Sequence, residues 1–194
     1  MFEIGLQKNR SLDNFSLEAY LDERDRDGEP GNQELDSVQA VTMEICGRLH
    51  DLKVVEFVVR GFGQYPWAVD VWYDLSMMLE EVPALFECID NNGPDAFTLN
   101  YAAQGTERSL IFTIEGDRVE IICESRTDWQ PDPRVEISDL KTLDEMFSRL
   151  LLTLVSETGR YFPDLIENRY FKEWRRLPPL KKRLENLART EDYL

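Results

Sequence analysis

The chain has a single histidine, His50, and only three cysteines in 194 residues, and this scarcity closes off several familiar catalytic routes. A lone imidazole has no second histidine with which to build a metal cluster or dyad, so His50 reads as structural or neutral. Cys46, Cys88 and Cys123 are far apart and set in apolar patterns. That fits reduced core thiols better than a disulfide framework or a metal site. No Gly-x-Ser-x-Gly elbow is present to expose a serine nucleophile. Gly61-Phe62-Gly63-Gln64-Tyr65-Pro66 lacks the Lys-Ser/Thr of a phosphate loop, and Pro66 removes an amide donor, so it reads as a turn. No apolar run approaches the length, roughly 18 residues, that a bilayer-spanning helix needs. The opening MFEIGLQKNRSLD has neither a basic leader nor an apolar signal core, so the expectation is a soluble, cytoplasmic chain with no membrane partner.

Positive charge is the other shortage. The chain carries 22 Lys and Arg against 38 Asp and Glu, a formal net charge of -16. Residues 151–194 are slightly basic, so residues 1–150 hold 13 basic against 31 acidic groups. Such a field repels nucleic acid and anionic membrane and speeds encounter with a basic protein, while also serving plain solubility.

The composition is otherwise that of a folded protein, 42% hydrophobic with four Trp, seven Tyr and ten Phe. Its length suits one domain spanning 1–194. The organising stretch is Ala96 to Ser125, which reads as a three-stranded antiparallel meander. Phe97, Leu99 and Tyr101, then Leu110, Phe112 and Ile114, then Val119, Ile121 and Cys123 each line one strand face, with Gly116-Asp117 as a tight hairpin link and Gly105 in a looser turn. A meander needs its apolar side covered, and amphipathic helices flank it.

Ahead of it, Phe2, Ile4 and Leu6 alternate as an edge strand, while residues 15–21 fit either a strand or a short helix. Val41, Met43 and Ile45 predict another strand, Arg48 to Asp51 a link, and Val54 to Val59 a central strand buried on both faces. A helix is expected from about Asp70 to Asp90 on the spacing of Val71, Trp72, Leu75, Met78, Leu79, Val82, Leu85, Phe86 and Ile89, kinked or restarted at Pro83. Met77 and Met78 read as core filler. Arg126 to Ser138 reads as a loop. A helix follows, with Thr142 and Glu145 as a capping box and Gly159 as its stop. Pro163 opens a further helix carrying Leu165, Ile166, Tyr170 and Trp174. A last basic segment, Leu180 to Ala188, is expected to clamp Lys181, Lys182 and Arg183 onto the acidic body. The fold class is therefore α+β: an antiparallel sheet of about five to seven strands packed by amphipathic helices, with a helical C-terminal third.

Two loops hold the candidate binding residues. Asp22 to Asp36 is rich in charge, with Asp22, Glu23, Asp25, Asp27, Glu29, Glu34 and Asp36 available as ligands or steering charges. Glu23, Asp25, Asp27, Gly28, Glu29 and Glu34 fall at positions 1, 3, 5, 6, 7 and 12 of a calcium-binding loop. Glu23 is longer than the Asp that pattern favours and Pro30 interrupts it, so a solvated acidic loop is the better reading and no metal is expected. The second loop places Trp129 between Asp128 and Asp132, either as packing against the sheet edge or as a partner anchor. Glu80 with Glu81, or Glu120 with Glu124, would make a hydrolytic carboxylate pair only if buried in a cleft.

With no cofactor motif and no catalytic constellation, a protein-binding module is the leading expectation and an enzyme is not expected. Its carboxylates would occupy a basic surface where phosphates would otherwise lie. In this overall format the chain resembles the immunity proteins of bacterial polymorphic and contact-dependent toxin systems. The resemblance implies a small acidic inhibitor that blocks a basic cognate toxin, such as a nuclease. The alternative is a structural or regulatory subunit, since Tyr170, Phe171 and Trp174 cannot all face one core and one of them is free for a homodimer or complex. A carboxylate-dependent hydrolase ranks third.

Overall fold

The computed structural model describes residues 1–9, 20, 35–91, 96–101 and 106–191, with side chains as far as 186. It is α+β, with six strands in two antiparallel sheets among the described residues. The expected single sheet of five to seven strands is thus not what forms. β1 (Glu3–Lys8) pairs only with β2 (Val55–Arg60), while β3 (Phe97–Tyr101), β4 (Arg108–Glu115), β5 (Arg118–Ser125) and β6 (Val135–Asp139) form the second sheet in that order.

The meander forms as expected. Leu110 pairs with Cys123 and Leu99, and Phe112 with Ile121 and Phe97, so one face of three strands is continuously apolar. β6 extends it, which corrects the reading of residues 126–138 as loop throughout. Its alternation is inverted: Glu136 points inward, 8% exposed, while Val135 and Ile137 stand 38% and 47% exposed. A strand with its charge inside and its β-branched residues outside carries no apolar-in signature.

The second correction concerns residues 38–52. They form helix α1 (Val38–Leu52), not a strand and a link. Ser37 caps it, its side chain accepting the Ala40 N–H at 3.1 Å, and Val41, Ile45, Cys46, Leu49 and Leu52 are all buried at helical spacing. His50 lies in its last turn. With that strand gone, β2 has one sheet partner, yet Val58 and Val59 on opposite faces are both buried, so the dense apolar run was a sound signal for burial but not for a central position.

The helix expected over 70–90 forms as a π-helical turn, Val71–Leu75, running directly into α2 (Ser76–Asn91), with Pro83 inside it. Of the two methionines expected as core filler, Met78 is buried in the core and Met77 is only half-buried. α3 (Leu140–Tyr161) supplies the longest apolar stripe, including Phe147, Leu150, Leu151 and Leu154. Its cap is Asp139, whose carboxylate accepts both the N–H and the hydroxyl of Thr142 at 2.8 and 2.7 Å. The Thr142–Glu145 capping box therefore does not form. Gly159 lies inside α3, facing Ile166, and the helix runs on to Tyr161.

After Pro163 the chain forms two short helices broken at Asn168, α4 (Pro163–Glu167) and α5 (Arg169–Arg175), then α6 (Pro178–Glu191). One apolar cluster reaches from Phe2 to Leu180. Phe2 joins the two sheets, its ring 6.1 Å from both Phe62 and Phe112. Phe171 and Trp174 are buried, and Tyr170 is the aromatic of that trio left at the margin. Among the described residues no helix is long and apolar enough to cross a membrane.

Candidate protein-binding surface

Two loops are clipped together at the end of β2. Gly61, Phe62 and Gly63 all have positive φ, at 132°, 56° and 80°, and the turn closes with paired 3.1 Å bonds between Gly61 and Gln64. The Phe62 N–H donates to Glu136 Oε1 at 2.6 Å, and its carbonyl accepts the Asp132 N–H at 3.0 Å. A side chain at Gly63 would collide with the Asp132 carbonyl, so only glycine lets the second loop come this close.

Beneath the loops lies Arg108, 3% exposed, with its guanidinium carbon 3.6 Å from the Trp129 ring centre and 4.3 Å from that of Trp67. Its Nη2 donates to Gln64 Oε1 at 2.6 Å, while Nε and Nη1 have no hydrogen-bond partner. Burial lowers the guanidinium's pKa from its ordinary value. Two indole faces thus stand where a carboxylate would be expected. Trp129 is half-buried and packs inward, the packing alternative of the sequence reading. Asp128 and Asp132 beside it are exposed. Tyr65 projects from the neighbouring loop, 69% exposed, with the Arg60 guanidinium 4.0 Å from its ring centre.

A second exposed aromatic group sits on the π-helical turn. Trp72 and Tyr73 are 56% and 41% exposed, whereas Val71 and Leu75 on either side are buried. The Leu75 N–H reaches back to the Asp70 carbonyl at 3.2 Å, and this wider turn rotates Trp72 out of the apolar face to which the sequence spacing assigns it. Asp70 caps the turn, accepting the Tyr73 N–H at 2.6 Å. Asp74 is buried, accepts the Asp70 N–H at 3.0 Å through Oδ2 and leaves Oδ1 unpartnered. Burial, with the Asp70 charge added, pushes the Asp74 carboxyl above the usual range, although the Asp70 N–H opposes this. Trp72 lies against Gly47 of α1 and 6.5 Å from the His50 ring. Asp51 is adjacent, 3.4 Å from His50 Nδ1 and 3.2 Å from the Tyr20 hydroxyl.

Of the acidic residues singled out in the sequence, Asp22, Glu23, Asp25, Asp27, Glu29 and Glu34 lie outside the described residues, as does the calcium-loop pattern they form. Asp36 is exposed immediately before the cap of α1. Glu80 and Glu81 are both exposed on α2. Glu120 pairs with Arg118 at 3.3 Å and Glu124 with Arg134 at 3.1 Å on the open face of the sheet. Among the described residues no three His, Cys, Asp or Glu side chains converge as a metal site. Cys46 and Cys123 are buried, Cys46 held far above the usual thiol range and Cys123 pushed up to about 11, which keeps both protonated.

What these two aromatic groups offer chemically is exposed rings, with Asp70 and Asp51 close to the second of them. Trp72 and Tyr73 could be found from sequence only by noticing that Val71, Trp72 and Tyr73 are consecutive and cannot share one helical face. No protein-family model matches the chain, and no curated protein or solved structure shows significant similarity to it.

Proposed function

We propose that this protein is an acidic binding module that neutralises a basic protein, in the manner of an immunity protein that covers the active surface of its cognate toxin. The observation that carries the reading is the exposure of Tyr65, Trp72 and Tyr73, at 69%, 56% and 41%, on a chain of net charge -16. Interface energy concentrates in Trp, Tyr and Arg, and charge sets encounter rate and partner sign. Rings with acidic neighbours suit a surface rich in Arg and Lys, which can stack on the one and pair with the other. Asp70 caps the turn that carries Trp72 and Tyr73, Asp51 lies against His50 beside Trp72, Asp128 and Asp132 flank the Trp129 loop, and residues 22–36 add further negative charge.

The test is co-expression with the product of the neighbouring reading frame. Growth arrest by that product, relieved by this chain and not by a Trp72→Ala, Tyr73→Ala double variant, supports the reading. A neighbouring product that is harmless and forms no complex with the chain counts against it.

A second reading, a subunit of a homodimer or complex, is favoured by the outer face of the four-stranded sheet. Ile111, Ile122 and Val135 are cross-strand neighbours there, and Ile137 lies further along the β6 edge. Light scattering separates a dimer from a monomer.

A further inference from the structure

The chain's scarce positive charge is not evenly spread. A cavity of about 370 Å³ between the α4–α5 segment and α6 is lined by Lys172, Arg175, Arg176 and Lys181, with Glu167, Glu185 and Leu184 completing the wall. Lys172 is paired with Glu167 at 2.7 Å and Lys181 with Glu185 at 3.6 Å. Both wall carboxylates are thereby paired, and among the described residues neither arginine forms an ion pair. Arg175 donates from Nη2 to the Ile166 carbonyl at 2.8 Å and sits 5.3 Å from the Phe171 ring centre, leaving its buried Nε without a partner.

The wall thus sets four cations against two carboxylates, and two adjacent guanidiniums with no direct ion pair in a concavity favour the entry of something anionic. The Arg175 proton affinity is lowered by burial; the nearby Glu167 charge opposes this and the Arg176 charge adds to it. Other basic side chains of the helical third are matched: Arg183 and Lys182 hold Asp90, and Arg169 holds Glu173.

We propose that the cavity binds the phosphate group of a small organic phosphoester or diphosphate, held by Arg175, Arg176 and Lys181. Charge selects the ligand class. A phosphomonoester carries about -1.5 to -2 at neutral pH, matching the wall's surplus of two cations over its carboxylates, whereas a monocarboxylate would leave half of that surplus uncompensated. Guanidinium forks match phosphate oxygens in pairs, which a more diffuse basic patch of lysines would not do. The volume lies at the lower end of the roughly 300–1,000 Å³ typical of small-molecule sites, so it accommodates a phosphate with a modest organic portion.

Isothermal titration of the full chain with inorganic pyrophosphate, against acetate at matched ionic strength, tests this. Pyrophosphate is expected to bind with Kd below about 1 mM, and acetate without measurable heat. Arg176→Gln, a change at an exposed position, is expected to weaken pyrophosphate about tenfold. Glu185→Gln is expected to strengthen it, because it releases Lys181 toward the ligand. Absence of pyrophosphate binding overturns the proposal, as does binding that neither substitution changes. Neither result bears on the acidic surface described above, which lies on other elements.

Discussion

Arg183 donates from Nη1 to Asp90 Oδ2 at 3.0 Å, tying the middle of α6 to the end of α2 across 93 residues of sequence. The same guanidinium reaches Asp144 Oδ1 at 2.6 Å through Nε and lies 4.0 Å from the Phe86 ring centre, while Lys182 takes the other oxygen of Asp90 at 2.6 Å. The basic C-terminal run is therefore spent on the protein's own carboxylates, as its sequence context suggested.

Because Arg183 is 4% exposed, its removal strands partly buried carboxylates. Arg183→Ala is expected to cost about 3 kcal/mol in urea unfolding at neutral pH. Burial alone would raise the Asp90 pKa, but the bonds from Arg183 and Lys182 outweigh it and hold the group below its ordinary value of 3.8. The stabilisation is thus fully present above that ordinary value and is lost as pH falls through the lower folded one. The wild-type advantage over Arg183→Ala should shrink in acid, and an advantage that grows there would contradict the assignment.

Among the described residues Arg108 has no carboxylate partner, so the indoles on either side carry its burial. Arg108→Met, which keeps most of the volume and removes two unpartnered donors, is expected to stay within about 1 kcal/mol of wild type. Trp129→Ala, which uncovers the cation and leaves a cavity, is expected to lose about 2–3 kcal/mol. Thermal unfolding of the two variants decides this, and the reverse ranking would show that Arg108 is held by something other than the rings.

Asp74 titrates in the opposite sense to Asp90. Its folded pKa lies above the ordinary 3.8, so the native state holds its proton more tightly and stability falls as pH rises from that ordinary value through the raised one. Asp74→Asn keeps an acceptor for the Asp70 N–H and removes the buried charge. It should stabilise the fold by about 1 kcal/mol at neutral pH and give no gain in acid, read from denaturant midpoints across pH.

What the sequence disclosed and what it hid follow from where the side chains point. The 97–125 meander was legible because its inward residues are apolar and its outward ones mostly polar. β6 was hidden because its inward residue is Glu136, satisfied by the Phe62 N–H from a loop 74 residues away. In α1, Val41, Met43 and Ile45 mimic a strand, and only Leu49 and Leu52 beyond them reveal the helical period. The Trp129 loop could be named from its composition, but its contact with Arg108 depends on strand register that no local pattern encodes. Trp72 and Tyr73 were hidden by a single wide turn.

The aromatic pair on that turn packs little against the core, so it can be removed cheaply. Trp72→Ala and Tyr73→Ala are each expected to change unfolding free energy by less than about 1 kcal/mol. In complex with a basic partner, each should raise the dissociation rate about tenfold or more. A large stability loss with unchanged dissociation would make these rings structural.

The central claim is that carboxylates of this chain guide it onto a positively charged protein. Stopped-flow association with the neighbouring reading frame's product, over a salt series, tests it directly. The account predicts a rate near 10⁷ M⁻¹s⁻¹ or above at low ionic strength, falling at least about tenfold by roughly 0.5 M salt, and a shallower fall for an Asp128→Lys, Asp132→Lys variant. A rate indifferent to salt and to both substitutions would contradict it.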